Sequence, residues 1–249
     1  PENLGPAGAA AVGFERLAAA GCDWIAWIDD DDPPGVPDVF ERLLAVAEAE
    51  GDDLAAVGAF GSRFDWRRGR AVRLADRELR GVVEVDLLGG SAHPLFRTAA
   101  VEAVGLPDAA LFFGLEEWSF ALRLRRAGFR LAVDGEVMLG YRERAGRLGR
   151  RAVHPLLPPD PPHALWRRYY TTRNYIVLMR RTFGRPDLAR RQVGRALARS
   201  ASAWGRGLRY GLRFTRLELR AVADGWAGRL GRRVEPPAAG AVTPGQAAP

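Results

Sequence analysis

Apolar and polar positions along the first 136 residues fall into two alternating patterns. Short apolar runs bounded by Asp, Gly or Pro predict buried strands, and they cover residues 24–28, 54–60, 82–88 and 130–133. Between these runs lie segments with helical character, each followed by a glycine that predicts the end of a helix, and they cover residues 9–20, 38–50, 98–104 and 115–127. Strands that alternate with helices are typical of an α/β domain.

Three local features refine this pattern. Asp38 and Glu41 have the spacing of a capping box at the start of the second helix. Residues 63–80 are polar and rich in arginine, which predicts a loop with a hairpin. Phe112 and Phe113 are interpreted as a short apolar strand directly before a helix.

The second half of the chain has a different organisation. Residues 141–164 are rich in Arg, Gly and Pro and are interpreted as a connecting loop, and residues 236–249 as a disordered tail. Helical patterning returns between them, at residues 165–183, 187–199 and 208–226. We therefore expect a mixed sheet flanked by helices in residues 1–140 and a basic helical region in residues 165–235.

Charge divides the chain more sharply than its net value of +7 indicates. Residues 1–140 have a net charge of −10 and residues 141–249 a net charge of +17. All 37 basic residues are arginines, since the chain contains no lysine. A basic half of this size favours a phosphate-rich partner. The charge by itself leaves open a membrane surface, a pyrophosphate-bearing substrate or nucleic acid.

Composition excludes some classes of protein. A length of 249 residues with 47% hydrophobic content suffices for one sizeable core. The single cysteine, Cys22, excludes an internal disulfide framework and fits a reducing compartment. No apolar run approaches the roughly 20 residues of a membrane span, so we expect a cytoplasmic protein. Because the chain begins with Pro1 rather than Met, we expect a partial or processed chain.

Four consecutive aspartates, Asp29 to Asp32, follow the first predicted strand. Open α/β sheets bind ligands beyond the carboxyl ends of their strands, and Mg²⁺ prefers one or two carboxylates together with substrate phosphates. An extended chain directs alternate side chains, Asp29 and Asp31, to one side. The pattern favours a nucleotide or metal site over the alternative, a solvated acidic loop.

Other segments carry candidate chemistry with an equally good structural interpretation. Glu116 and Glu117 begin a helix, where acids suit the macrodipole, but a carboxylate beside apolar residues can also act as a general base. The turn that contains Gly90 and Ser91 allows close backbone approach to a ligand. The arginines and aromatic residues of 166–174 suit either phosphate and sugar contacts or an amphipathic core helix. His93, His154 and His163 are the only histidines, and their roles stay open.

Taken together in this order, the segments resemble a family 2 glycosyltransferase of the GT-A fold. The resemblance covers about residues 1–185 and rests on an ordered set of motifs: NLGPAG at 3–8, WIDDDDPP at 27–34, GGS at 89–91, FFGLEEW at 112–118, LRLRRAG at 122–128 and RYYTTRN at 168–174. It implies inverting transfer from a UDP- or dTDP-sugar to a hydroxyl acceptor, a glycan or lipid-linked glycan of a bacterial envelope.

The resemblance also implies roles for particular residues. Asp31 is the expected direct ligand of a divalent cation, Mg²⁺ or Mn²⁺, with Asp29 as a second ligand. Glu117 is the expected general base, with Glu116 beside it. Contacts to the nucleotide sugar are expected from six residues: Asn3, Gly5, Asp29, Asp30, Gly90 and Ser91. The basic C-terminal helices would lie against anionic lipid at the inner face of the plasma membrane, and no nucleic acid is expected.

Three departures from the family pattern keep a rival interpretation open. Glu117 replaces the commoner Asp, and Ser119 stands where a further acid is frequent. Family members begin with a strand and an acidic residue that hold the nucleotide base, and we expect that the sequence starting at Pro1 lacks them. The rival is a catalytically inactive relative that binds a nucleotide sugar or a cation. A nucleic-acid-binding protein ranks last, because it leaves the four aspartates unexplained.

Overall fold

The computed structural model describes residues 2–149 and 160–236. Within these ranges the chain forms two compact units. The sheet unit comprises residues 7–109 and 116–149, and the helical unit comprises residues 2–6, 110–115 and 160–236. The prediction of a disordered tail lies, apart from Pro236, outside the described residues.

The sheet unit contains seven strands and most of five helices among its described residues. The strands are β1 (Trp24–Ala26), β2 (Leu54–Gly58), β3 (Arg63–Asp65), β4 (Arg70–Val72), β5 (Val82–Val85), β6 (Leu95–Arg97) and β7 (Arg130–Asp134). The helices are α1 (Gly5–Ala19), whose first two residues belong to the helical unit, α2 (Val39–Ala49), α3 (Thr98–Val104), α4 (Glu116–Arg126) and α5 (Gly135–Arg144).

Five strands form one mixed sheet in the order β1-β6-β2-β7-β5. The pair β2/β7 is parallel, with Val57 opposite Ala132, and the other three pairs are antiparallel. Because β6 runs opposite to both β1 and β2, the strands β1, β2 and β7 all run in the same direction. Their carboxyl ends therefore lie at one edge of the sheet, which is where such sheets bind ligands.

Both faces of this sheet are covered. Leu95 of β6 packs with the buried residues of α2, among them Val39 and Leu43. The next residue, Phe96, points to the opposite face, as alternation along a strand requires. There its ring lies 5.5 Å from Phe14 of α1 and 5.2 Å from Phe120 of α4. The predicted α/β class, a mixed sheet between helices followed by a helical region, is confirmed.

The helical unit is built from three long helices. These are α6 (Leu165–Val177), which continues as a π-helical turn over Leu178–Thr182, α7 (Pro186–Ala203) and α8 (Leu208–Ala227). Buried polar pairs join them: Tyr169 Oη donates to Asp224 Oδ2 at 2.6 Å, and Arg199 Nη2 donates to Glu218 Oε1 at 3.0 Å. Burial raises the pKa of Glu218 even though Arg199 lies beside it. Of the described helices, none is long and apolar enough to cross a membrane.

Most predicted elements are confirmed with shifted ends, and four details differ. Asp38 makes no side-chain cap bond, so the predicted capping box is wrong. Phe112 and Phe113 lie in a turn rather than in a strand. Strand β6 was not predicted because three residues carry too little periodicity. Helix α5 was not predicted either, and its last residues fall within the segment interpreted as a loop.

Candidate active site

The four aspartates leave the sheet directly after β1, at the edge where β1, β2 and β7 end. Trp27 N donates to Pro94 O at 3.0 Å, which is the last backbone contact that joins this segment to the sheet. Asp29 is half-buried, and Asp30, Asp31 and Asp32 are exposed. Burial, followed by the charges of Asp31, Asp32 and Asp30, raises the pKa of Asp29, while His93 opposes this effect.

This arrangement fits a divalent cation that also contacts a substrate phosphate. Nowhere in residues 2–149 and 160–236 do three His, Cys, Asp or Glu side chains converge as a complete protein-only metal site. Mg²⁺ in phosphate-transfer sites needs only one or two carboxylates, with waters and phosphate oxygens as its other ligands. Burial and the charges of the neighbouring aspartates raise the pKa of Asp29, and a bound cation would oppose both effects by favouring the ionised carboxylate.

A short loop, Gly89 to His93, follows β5 and leads into β6. Ala59 N, just after β2, donates to Ala92 O at 2.7 Å, so the loop is fixed at the same sheet edge. His93 has a φ of 52° and is 1% exposed, with its ring near those of Phe40 and Tyr141. His93 thus lies inside the site although the sequence assigned it no role; its position after the Gly89-Gly90 turn was the available signal.

The two glutamates begin α4 and differ in exposure. Glu116 is 7% exposed, whereas Glu117 is only half-buried. A Cβ built on Gly89 would lie 2.9 Å from Glu117 Oε2, so the carboxylate rests against the backbone of the loop that also carries His93. A larger residue at position 89 would force the carboxylate to move. Within the sheet unit, Glu117 therefore lies against one end of this loop, and His93 at its other end is close enough to Asp29 to affect its pKa.

The residues before the glutamates have unusual backbone angles. Phe112, Gly114 and Leu115 have φ values of 62°, 78° and 69°. Two of these are not glycine, and such angles persist only where surrounding contacts enforce them. Asn174 supplies those contacts, since its Nδ2 donates to the carbonyl oxygens of Leu111, Phe113 and Gly114 at 3.1, 3.0 and 2.7 Å. Asn174 belongs to the RYYTTRN motif, which is therefore buried scaffold at this position.

Asn3 and Gly5, expected to contact the nucleotide sugar, have structural roles in the helical unit. Asn3 Oδ1 accepts a hydrogen bond from Gly5 N at 2.9 Å at the start of α1. Gly5 has a φ of 68°, and a Cβ there would lie 2.2 Å from Phe112 O. These contacts explain both residue types without a ligand. Asp29, Asp30, Ser91 and Gly90 all belong to the sheet unit.

A cavity of about 550 Å³ opens beside Asp32. Its volume lies within the range of roughly 300–1,000 Å³ that is typical of small-molecule sites. Its lining includes Asp32, Phe60 and Ser62 just beyond β2, and Tyr141 and Arg142 of α5. Tyr141 Oη accepts a hydrogen bond from Gly35 N at 2.9 Å. This bond connects α5 to the loop that contains the acidic segment, Asp29 to Asp32. This wall of the cavity was not predicted from the sequence, because α5 was not predicted.

The chain is similar to two bacterial galactofuranosyltransferases. It is 34% identical over 188 residues to galactofuranosyltransferase GlfT1 of Mycobacterium tuberculosis (strain ATCC 25618 / H37Rv), an alignment that covers 69% of this chain and 60% of that protein. It is also 34% identical over 191 residues to galactofuranosyltransferase GlfT1 of Mycolicibacterium smegmatis, covering 69% of this chain and 61% of the relative. The chain thus spans about 60% of the length of these relatives. No protein-family model and no solved structure matches the chain.

Asp29→Asn tests the electrostatics of the acidic segment. A raised pKa in the folded state means that stability falls as pH rises from 3.8 through the raised pKa. The amide of asparagine does not titrate. At pH 7 without metal, we therefore expect Asp29→Asn to raise Tm by about 1–2 °C. The effect is small because Asp29 is partly solvated. Thermal melts between pH 4 and pH 8 in a chelator measure the difference between variant and wild type.

The matched control is Asp38→Asn, an exposed aspartate whose side chain makes no cap bond. We expect it to leave Tm unchanged across the same range. If the Tm difference between Asp29→Asn and wild type is absent at pH 7, or is largest at pH 4, the pKa of Asp29 is not raised in the folded state.

Proposed function

We propose that this chain transfers a galactofuranosyl residue from a nucleoside-diphosphate sugar to a hydroxyl acceptor, with inversion at the anomeric carbon. The observation that supports the proposal is that Glu117 lies against Gly89, while His93 of the same loop acts on the pKa of Asp29 in the crowded carboxylate cluster after β1. The similarity to two galactofuranosyltransferases supports the sugar, and the resemblance to family 2 glycosyltransferases supports the inverting course.

In this proposal the acidic segment holds the donor diphosphate. Asp31 and Asp29 would hold Mg²⁺ or Mn²⁺. When bound there, the cation would neutralise the charge that develops on the leaving diphosphate. Asp30, Gly90 and Ser91 would contact the nucleotide sugar. The cavity beside Asp32 has two aromatic rings, Phe60 and Tyr141, on which a base or sugar could stack.

Glu117 is the proposed general base. Its carboxylate takes the proton of the acceptor hydroxyl, and that oxygen forms a bond to the anomeric carbon from the face opposite the diphosphate. The bond between the anomeric carbon and the diphosphate oxygen breaks, and its electron pair leaves with the nucleoside diphosphate. Glu117 suits this task better than Glu116 because it is accessible. The proposed acceptor is a glycan or lipid-linked glycan of a bacterial envelope.

Calorimetry of UDP and dTDP, with and without Mn²⁺, tests the donor site. We expect binding that requires Mn²⁺ and that weakens at least about tenfold in Asp31→Ala, because even outer-shell changes weaken metal sites by roughly 10–100-fold. Asp38→Ala is the control and should bind like wild type. Nucleotide binding that ignores Mn²⁺, or that survives Asp31→Ala unchanged, would contradict the proposal.

A further inference from the structure

Helix α8 exposes a continuous apolar line to solvent. Leu208, Leu212, Leu219 and Trp226 are 73%, 48%, 49% and 39% exposed. Their spacings of four, seven and seven residues place them on one side of a helix with 3.6 residues per turn. The opposite side is buried and includes Phe214 and Ala221. Four large apolar side chains in one exposed line form a patch of the kind that marks an interaction surface.

A row of arginines runs beside this apolar line. Four exposed arginines lie one to four positions along the chain from a residue of the apolar line: Arg209, Arg213, Arg216 and Arg220. Among the described residues, the side chains of Arg209, Arg213 and Arg216 have no hydrogen-bond or ion-pair partner. Their charges are therefore available to an external anion.

Of this row, the acidic residues of α8 pair only with Arg220. Glu218 is 1% exposed and pairs with Arg199 of α7. Asp224 is 6% exposed and accepts the hydroxyl of Tyr169, with Arg220 and Arg229 nearby. Since α8 has no other acid, its exposed side presents only apolar and cationic groups.

The arginine row also lines a cavity of about 420 Å³. Its walls are formed by Arg209, Arg213 and Arg216 of α8 and by His163 and Trp166 near the start of α6. Leu212 of the apolar line also contributes to it, so the cavity opens directly beside the line. Glu235 lies at the wall too, but it pairs with Arg232. Three guanidinium groups around a small cavity suit a phosphate group.

We propose that the exposed side of α8 docks on a bilayer of anionic phospholipid. Headgroup phosphates occupy the cavity between Arg209, Arg213 and Arg216, and the Leu208–Trp226 line enters the boundary between headgroups and acyl chains. Helices that lie in a membrane interface have this division into an arginine-rich side and a Leu/Trp side. The inference does not rest on the proposed glycosyl transfer.

Charge and polarity together favour a lipid surface over other partners. A second copy of α8 on this side would bring two arginine rows together, and like charges in contact are destabilising. Nucleic acid would satisfy the arginines but would leave the apolar line in water. An anionic bilayer satisfies both, because its phosphates attract arginine while its interior accepts leucine and tryptophan.

Sedimentation with lipid vesicles tests the proposal on the full chain. We expect binding to vesicles of phosphatidylcholine mixed with phosphatidylglycerol, little binding to phosphatidylcholine alone, and weakening as salt rises above about 0.1 M. Each arginine near an anionic membrane surface increases the partitioning of a protein onto that membrane about fivefold. The triple variant Arg209→Gln/Arg213→Gln/Arg216→Gln should therefore bind roughly 100-fold more weakly, and Leu212→Ser/Leu219→Ser at least about tenfold more weakly.

Matched controls separate this surface from the general charge of the protein. Arg70→Gln/Arg77→Gln/Arg80→Gln removes three exposed arginines from the sheet unit. Leu17→Ser/Leu106→Ser removes two leucines that are 41% and 36% exposed there. Both controls should bind vesicles within about twofold of wild type. All variants replace exposed side chains, and circular dichroism melts check that they fold.

Three results would overturn the proposal. Equal loss of binding in the arginine control would show that net charge alone causes adsorption. Calorimetric binding of inorganic pyrophosphate without any vesicle binding would show that the cavity serves a soluble phosphate. A dimer in sedimentation velocity that dissociates in Leu212→Ser/Leu219→Ser, without vesicle binding, would show that the line is covered by a second copy.

Discussion

Glu117→Gln is expected to lower kcat for the proposed galactofuranosyl transfer by about 10²–10⁴-fold, the usual contribution of a positioned general base. The amide keeps the size of the side chain and its place against Gly89 but cannot take a proton. Nucleotide binding, measured by calorimetry with Mn²⁺, should stay within about twofold of wild type. A loss confined to kcat identifies proton transfer, because a donor-binding role would lower nucleotide affinity instead.

Glu116→Gln is the matched control at the neighbouring position. Glu116 is buried at the start of α4, so its replacement should change the melting temperature more than kcat. Gly89→Ala provides a second check, since the new methyl group would displace the Glu117 carboxylate and lower kcat while both acids remain. If Glu117→Gln keeps kcat within about threefold of wild type, Glu117 is not the general base. Its charge at the start of α4 would then only stabilise the helix, by less than about 1 kcal/mol.

Asn174→Ala is expected to lower the free energy of unfolding by about 3–5 kcal/mol. The side chain is fully buried, its Nδ2 donates to three carbonyl oxygens, and its Oδ1 accepts from Arg173 Nε at 2.8 Å. Alanine would leave the carbonyls of Phe113 and Gly114 and the Arg173 Nε–H without these bonds, and buried groups without partners are costly. Urea unfolding followed by circular dichroism measures the change.

Thr171→Ala is the control on the same helix. Its hydroxyl bonds only to Arg167 O within α6, and the residue is half-exposed, so we expect a change below about 0.5 kcal/mol. An Asn174→Ala variant as stable as Thr171→Ala would mean that the turn at Phe112 to Leu115 holds its backbone angles without this side chain.

Several features of this protein follow from the sequence alone, because local chemistry decides them. Glycines at 21, 51, 105 and 128 follow helices, and apolar runs predict the strands between them, so the α/β class could be read directly. The mixed sheet flanked by helices is confirmed. The four aspartates after β1 and the glutamates at the start of α4 were identified as candidate chemistry from residue type and position.

The errors have a common physical origin, which is that contacts distant along the chain determined the outcome. Phe112 and Phe113 have a strand-like composition, but Asn174, about sixty residues later, donates to the carbonyls of Leu111, Phe113 and Gly114 and holds this segment in a turn. Strand β6 has three residues and exists because β1 and β2 pair with it from both sides. The turn at Gly89 could be recognised locally, but its contact with Glu117 could not.

The sequence by itself determined the fold class, the strong helices and the residue types available for chemistry, because backbone preference and hydrophobic period are properties of neighbouring residues. The tertiary structure alone decided that Glu117 lies against Gly89, that His93 acts on Asp29, and that α8 leaves its leucine line exposed. Those outcomes depend on which surfaces are buried against each other. Burial is decided by the whole unit, so no local pattern specifies it.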